Sequence, residues 1–230
     1  MKQLLTTGIV LTRTDFGEAD RIVTLLTPDH GKLRLMARGV RKIKSRLAGA
    51  IELFSISEIG FMHGRGELGT LISARLIQYY GSIAQDIERV QQGYALIKML
   101  HRATEDQPEP EYFELLQQAL AALDDVTIDL DLINLWFQSQ LLRLAGHTPN
   151  LRTDTAGQKL DAETRYTFDF DSVAFMSREA GVCTAAHIKI LRLLFSHNSP
   201  QILSRVQGTS GLLPDIAPLI STMRTTYLRT

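Results

Sequence analysis

Lys32-Leu33-Arg34-Leu35-Met36-Ala37-Arg38-Gly39-Val40-Arg41-Lys42-Ile43-Lys44-Ser45-Arg46 holds seven basic residues and no acidic one. Strand side chains alternate between two faces. The first half of this stretch therefore places Leu33, Leu35 and Ala37 on one face and Lys32, Arg34, Met36 and Arg38 on the other. Such a strand is half buried and displays a row of cations. At Gly39 the row runs on into a basic loop. Positive charge gathered in this way is the footprint of a polyanion-binding surface.

The segments around it also read as strands. Thr7 to Thr14 is rich in Ile, Val, Leu and Thr, and Arg21 to Thr27 follows a polar break at Asp15–Asp20. Pro28-Asp29-His30-Gly31 is a turn with Pro and Gly where turns use them. Glu52 to Met62 and Leu68 to Tyr79 follow, separated by His63-Gly64-Arg65-Gly66-Glu67. Five short, closely spaced strands with turn signals predict a small antiparallel barrel.

From Asp86 the apolar period becomes helical, with Ile87, Val90, Tyr94, Ile97 and His101 three or four residues apart. Gln107-Pro108-Glu109-Pro110 breaks that helix. Tyr112 to Leu123 marks a second one. Leu130 to Leu144 marks a third, capped by Asp129 and stopped at Gly146. Further helices are expected from Ala185 to Ser196 and from Pro214 onward, after a polar, irregular stretch beginning at Asn150. The expected organisation is a barrel over 1–80 and a helical domain over 81–230, with 150–184 as an irregular insertion.

Overall charge hides an asymmetry. The chain has 25 Lys/Arg and 25 Asp/Glu, yet residues 1–80 carry 12 and 7, leaving 13 and 18 for the remainder. The basic end implies a polyanion partner and the acidic remainder a separate unit. The one cysteine, Cys183, excludes an intramolecular disulfide and a Cys-rich zinc site, and fits a reducing cytosol. No signal peptide or membrane span is expected from the apolar runs.

Little in the chain argues for catalysis. Gly64-Arg65-Gly66-Glu67-Leu68-Gly69 matches G-x-G-x-x-G, but a dinucleotide site needs a helix next, and the residues that follow read as a strand. The six histidines show no i, i+4 pair and no neighbouring Cys-x-x-Cys. Asp124, Asp125, Asp129 and Asp131 lie between two helices, where acids cap amino termini. Cys183 has no base nearby in sequence and reads as an inert thiol. No nucleophile elbow or P-loop is present, so the expectation is a protein that is not an enzyme and needs no cofactor.

A basic strand can also be a solvated edge that prevents pairing. The continuing loop and the barrel favour nucleic acid instead, since OB barrels bind single strands with cations on phosphates and aromatics on bases. Lys32, Arg34, Arg38, Arg41, Lys42, Lys44 and Arg46 are the expected phosphate contacts, with Arg21 and Arg65 bordering the same face. Phe16, Phe61, Tyr79 and Tyr80 are the candidate base stackers. The alternative is a protein-interaction module whose barrel meets acidic peptides.

Several segments resemble the RecO family of bacterial recombination mediators. They are Gly8-Ile9-Val10-Leu11, Phe16-Gly17-Glu18-Ala19-Asp20-Arg21-Ile22-Val23, Thr27-Pro28-Asp29-His30-Gly31-Lys32 and Ala37-Arg38-Gly39-Val40-Arg41-Lys42. Leu142 to Leu151 looks like the segment that precedes the family's cysteine motif. The resemblance runs over nearly the whole chain. It implies an OB barrel, a helical domain, binding of single- and double-stranded DNA, and annealing of complementary strands. It further implies cooperation with RecR to help RecA replace single-strand-binding protein, a groove for that protein's C-terminal tail, and a cytoplasmic, nucleoid-associated location. One departure stands out. Many members hold zinc with two C-x-x-C pairs, whereas Arg152 to Gly157 has no cysteine and Ala186 stands where the mate of Cys183 is expected. A single thiolate cannot form such a site, so no zinc is expected, and 150–184 must be held by packing of Tyr166, Phe168, Phe170 and Phe175, or be flexible.

Overall fold

The structure is a computed structural model and describes residues 3–228 apart from 65, 105, 106 and 108. Packing divides the chain into two compact units, Met1–Asp125 and Val126–Thr230. The change from strand to helix near residue 80 is thus not where the packing divides.

In the first unit, five strands close into a barrel: β1 (Leu4–Phe16), β2 (Asp20–Thr27), β3 (Gly31–Ala37), β4 (Ser55–Met62) and β5 (Leu68–Tyr79). β1 pairs with β2 and β4, β2 with β3, and β4 with β5, all antiparallel. The β3–β5 pair is parallel, through Arg34 opposite Leu68, Leu35 opposite Gly69 and Met36 opposite Thr70. This corrects the expectation of a wholly antiparallel barrel. The reason is geometric: a closed ring with an odd number of strands cannot alternate direction all the way round. Gly69 sits at the closure, where a Cβ would meet Leu35 Cδ2 and the Met62 carbonyl oxygen at 2.8 Å each. The glycine motif is therefore a hairpin leading into β5, and its packing explains this glycine without a phosphate.

The barrel core follows the alternation read from the sequence. Leu33, Leu35 and Ala37 are buried with Val10, Val23, Leu25, Ile59, Phe61 and Leu71. Each large aliphatic side chain withdrawn from water in this way contributes roughly 1.5–3 kcal/mol. Arg34 and Arg38 face outward.

Two helices complete this unit, α1 (Ile87–Ala103) and α2 (Pro110–Asp124). Asp86 caps α1, its carboxylate accepting from the backbone of Glu88 at 2.8 Å and Arg89 at 3.3 Å. At the other end of α1, Lys32 Nζ donates to the carbonyl oxygens of His101, at 2.8 Å, and Thr104. Buried Arg89 does the same for α2, donating to the carbonyls of Leu123 at 2.9 Å and Asp125 at 3.1 Å. Both cations meet the negative end of a helix dipole. Asp124 reaches back to accept from Ser82 N at 2.7 Å.

The second unit begins with α3 (Leu130–Leu144), which Asp129 caps as expected. A sheet follows, ordered β6 (Asn150–Asp154), β8 (Ala174–Ser177), β7 (Tyr166–Asp169). The remaining elements are α4 (Ala185–Leu194), α5 (Pro200–Leu203) and α6 (Thr209–Tyr227). The expected irregular stretch thus contains three short strands, a second correction. Tyr166, Phe168 and Phe175 are buried and pack edge to face, while Phe170 lies nearer the surface. The turns between the strands are closed by carboxylates. Asp154 accepts from Ala156 N and Gln158 N, and Asp161 accepts from Glu163 N and Thr164 N. α6 starts five residues before Pro214. Pro214 and Pro218 each withhold a backbone donor, but Leu213, Ile216, Leu219, Ile220 and Met223 bury one face of the helix, and packing outweighs that loss.

Candidate nucleic-acid interface

The basic run folds in two parts. Its strand half belongs to β3. Its loop half, from Arg38 to Arg46, is pinned at both ends by buried side chains, Val40 and Ile51 in the core and Leu47 packed against it. Gly39 opens the loop with φ of 64°, a conformation glycine adopts without strain. Its backbone N–H donates to Asp20 Oδ1 at 2.7 Å. Two successive turns shape the rest, Lys42 N to the Gly39 carbonyl at 3.1 Å and Ser45 N to the Lys42 carbonyl at 2.9 Å. The loop is therefore held by its own backbone bonds.

It is also tied to the tip of the β1–β2 hairpin. Arg41 N donates to the Ala19 carbonyl at 3.0 Å, and Arg41 Nη1 donates to the Gly17 carbonyl at 3.2 Å. Asp15 sits between two guanidiniums, 2.8 Å from Arg21 Nε and 3.4 Å from Arg41 Nε. The Arg21 hydrogen bond, helped by the charge of Arg41, holds the Asp15 carboxyl below the usual carboxylate range. The three groups together still carry one net positive charge.

The expected phosphate contacts therefore differ in what they already touch. Lys32 is bound to the carboxyl end of α1. Arg34 lies 3.8 Å from Glu67, both well exposed, an arrangement that costs a competing anion little. Arg21 and Arg41 share Asp15. Arg38, Lys42, Lys44 and Arg46 are exposed and make no ion pair among the described residues. Loop and hairpin tip bring Arg21, Arg38, Arg41, Lys42, Lys44 and Arg46 to one end of the barrel, whereas Lys32 is engaged elsewhere. Arg65 lies outside the described residues.

The stackers separate just as clearly. Phe61 and Tyr80 are buried and belong to the core; they are not available to bases. Phe16 and Tyr79 are about half exposed. Phe16 is the last residue of β1, next to the Gly17 carbonyl that Arg41 holds. Sequence reasoning missed two features. One is the helix-capping role of Lys32, whose partners lie some seventy residues away. The other is the complete exposure of Ile43, an aliphatic residue that reads as core by type alone.

Cys183 is buried, and burial, with a contribution from Asp215, pushes its thiol up, away from the reactive thiolate. Among the described residues no group of three His, Cys, Asp or Glu is placed to hold a metal ion. The donors do not suit zinc in any case: one raised thiol is present, and Asp154 is occupied by backbone N–H groups. No helix among the described residues is long and apolar enough to cross a membrane.

Comparison with known proteins agrees with this architecture. Residues 1–80 match the family model described as Recombination protein O N terminal, and residues 84–209 match Recombination protein O C terminal. The chain is 32% identical to the DNA repair protein RecO of Dehalococcoides mccartyi over 205 residues, covering 86% of this chain and 80% of that protein. It is 29% identical to the RecO of Halalkalibacterium halodurans over 224 residues, covering 94% and 85%. It is 37% identical to the RecO of Bacillus pumilus over 145 residues, covering 63% and 56%. With an OB-type barrel ahead of a helical unit, and both family models matched in order, the chain belongs to the RecO family of recombinational DNA repair proteins.

Proposed function

We propose that this chain is a non-enzymatic recombination mediator that binds DNA through the basic loop and hairpin tip at one end of its barrel and brings complementary strands together. The observation that carries the reading is the set of four exposed cations, Arg38, Lys42, Lys44 and Arg46, on an internally hydrogen-bonded loop with no acidic partner among the described residues. Phosphate contacts of this kind position a strand without reading its sequence, and their affinity falls with salt as counterions return. Annealing needs no covalent step here. Cations that screen both phosphate backbones lower the repulsion between two strands, and base pairing supplies the rest.

Family membership supports the wider role: action with RecR, contact with the C-terminal tail of single-strand-binding protein, and indirect help to RecA in replacing that protein. A fluorescence-anisotropy titration with a labelled single strand at several salt concentrations tests the core of the reading, with a duplex in parallel. The expected result is micromolar or tighter binding whose logarithm falls linearly with the logarithm of salt concentration. Absence of binding at low salt overturns it.

A further inference from the structure

Ile43 is the most exposed large apolar side chain among the described residues, with a relative exposure of 104% against 53% for Phe16 and 48% for Tyr79. Its position makes this unusual. It is the second residue of the Lys42–Ser45 turn, so the backbone pushes it outward at the crest of the loop. Lys42, Lys44 and Arg46 surround it in sequence, all exposed. The aliphatic residues on either side of the crest, Val40 and Leu47, turn inward to the core. A loop that only needed solubility or charge has no use for an isoleucine there. A surface that first attracts a polyanion and then meets an apolar part of the same ligand does.

Single-stranded DNA has that chemistry, with phosphates along one edge and apolar base faces that become accessible when bases unstack. Aliphatic side chains inserted between bases are a known way to hold them apart. We propose that Ile43 is a base-contacting wedge: the cations hold the backbone, and Ile43 packs against the face of an unstacked base, with Phe16 on the tethered hairpin tip available to a neighbouring base. The inference rests on the DNA-binding reading above and adds to it a contact that does not depend on salt. A strand held with its bases separated presents its pairing edges to a complement, which suits annealing.

The test compares a thymidine oligonucleotide with an abasic oligonucleotide of equal phosphate number, using the parent chain, Ile43→Ser and Ile43→Trp. Ile43 is fully exposed, so both variants are expected to melt at the parent's temperature. Ile43→Ser is expected to bind the thymidine strand about tenfold more weakly, the low end of a base-stacking contribution, with an unchanged salt slope and no change on the abasic strand. Ile43→Trp is expected to bind the thymidine strand more tightly. If the parent binds both strands equally, or if Ile43→Ser weakens both alike, the wedge is overturned while phosphate binding stands. If the parent binds neither, the DNA reading falls and the wedge with it.

Discussion

The strand half and the loop half of the basic run both carry only positive charge but face different surroundings. On β3, Lys32 is drawn to the carboxyl end of α1, and Arg34 has Glu67 nearby. On the loop, Lys42, Lys44 and Arg46 face solvent with no ion pair among the described residues. A regular strand lies against neighbouring strands and helices, so its long side chains find carbonyls and carboxylates to bond. A loop that rises from the barrel leaves most of its cations without such partners, Arg41 at the hairpin tip being the exception. Charge counted along a sequence therefore overstates the charge a ligand meets. Lys32 serves the fold first, whereas Arg38, Lys42, Lys44 and Arg46 stay exposed with no ion pair among the described residues.

The sharpest way to break this comparison is to reverse the loop. Replacing Lys42, Lys44 and Arg46 together with Glu is expected to abolish single-strand binding at physiological salt. The milder triple change to Gln is expected to flatten the salt slope by about two units, roughly 0.7 for each lost phosphate contact. Retention of the parent's slope by the Gln variant would return the DNA contact to some other surface. Next in size is Lys32→Met. Losing a charge-assisted bond to the α1 carbonyls is expected to cost about 1–2 kcal/mol of stability, seen as a lower urea midpoint at unchanged m-value. Its salt slope for DNA should match the parent. A slope flattened as much as by a loop substitution would erase the distinction between the halves.

The smallest effect is expected at Asp15, which ties the loop to the β1–β2 hairpin. Asp15→Asn removes the carboxylate that Arg21 and Arg41 share and is expected to tighten DNA binding a little, steepening the slope by less than one unit. It also has a pH signature. The carboxyl titrates lower when folded than unfolded, because Arg21 hydrogen-bonds it and Arg41 adds its charge. The stabilisation is therefore fully present above the unfolded pKa, near 4, and is lost as pH falls through the lower folded value. Acid-unfolding curves should show a slightly shallower loss of stability for Asp15→Asn over that range; identical acid limbs would mean that the cluster contributes nothing.

The alternation of Leu33, Leu35 and Ala37 against Lys32, Arg34 and Arg38 was legible because a half-buried strand writes its two faces into adjacent residues. The caps at Asp86 and Asp129 follow from equally local rules. What escaped was non-local. The parallel β3–β5 closure depends on strand number and ring geometry, not on any residue. Lys32 looked like a ligand contact because its partners lie beyond two intervening strands and most of a helix. The β6–β8–β7 sheet was hidden because its strands are four or five residues long and its turns are built from the polar residues that mark loops. Phe61 and Phe16 are the same residue type, and only the fold tells which one water can reach.

The bond from Lys32 to the last carbonyls of α1 has a consequence for how such proteins can be cut and recombined in evolution. A fragment ending near residue 80 keeps every strand of the barrel yet strands the ammonium of Lys32 without its acceptors. The carbonyls of His101 and Thr104 lie beyond such a cut. The seam that leaves these polar groups matched lies near 125, after the second helix. Inheritance by modules would thus favour a barrel that travels with its helical hairpin, whatever follows it in the chain.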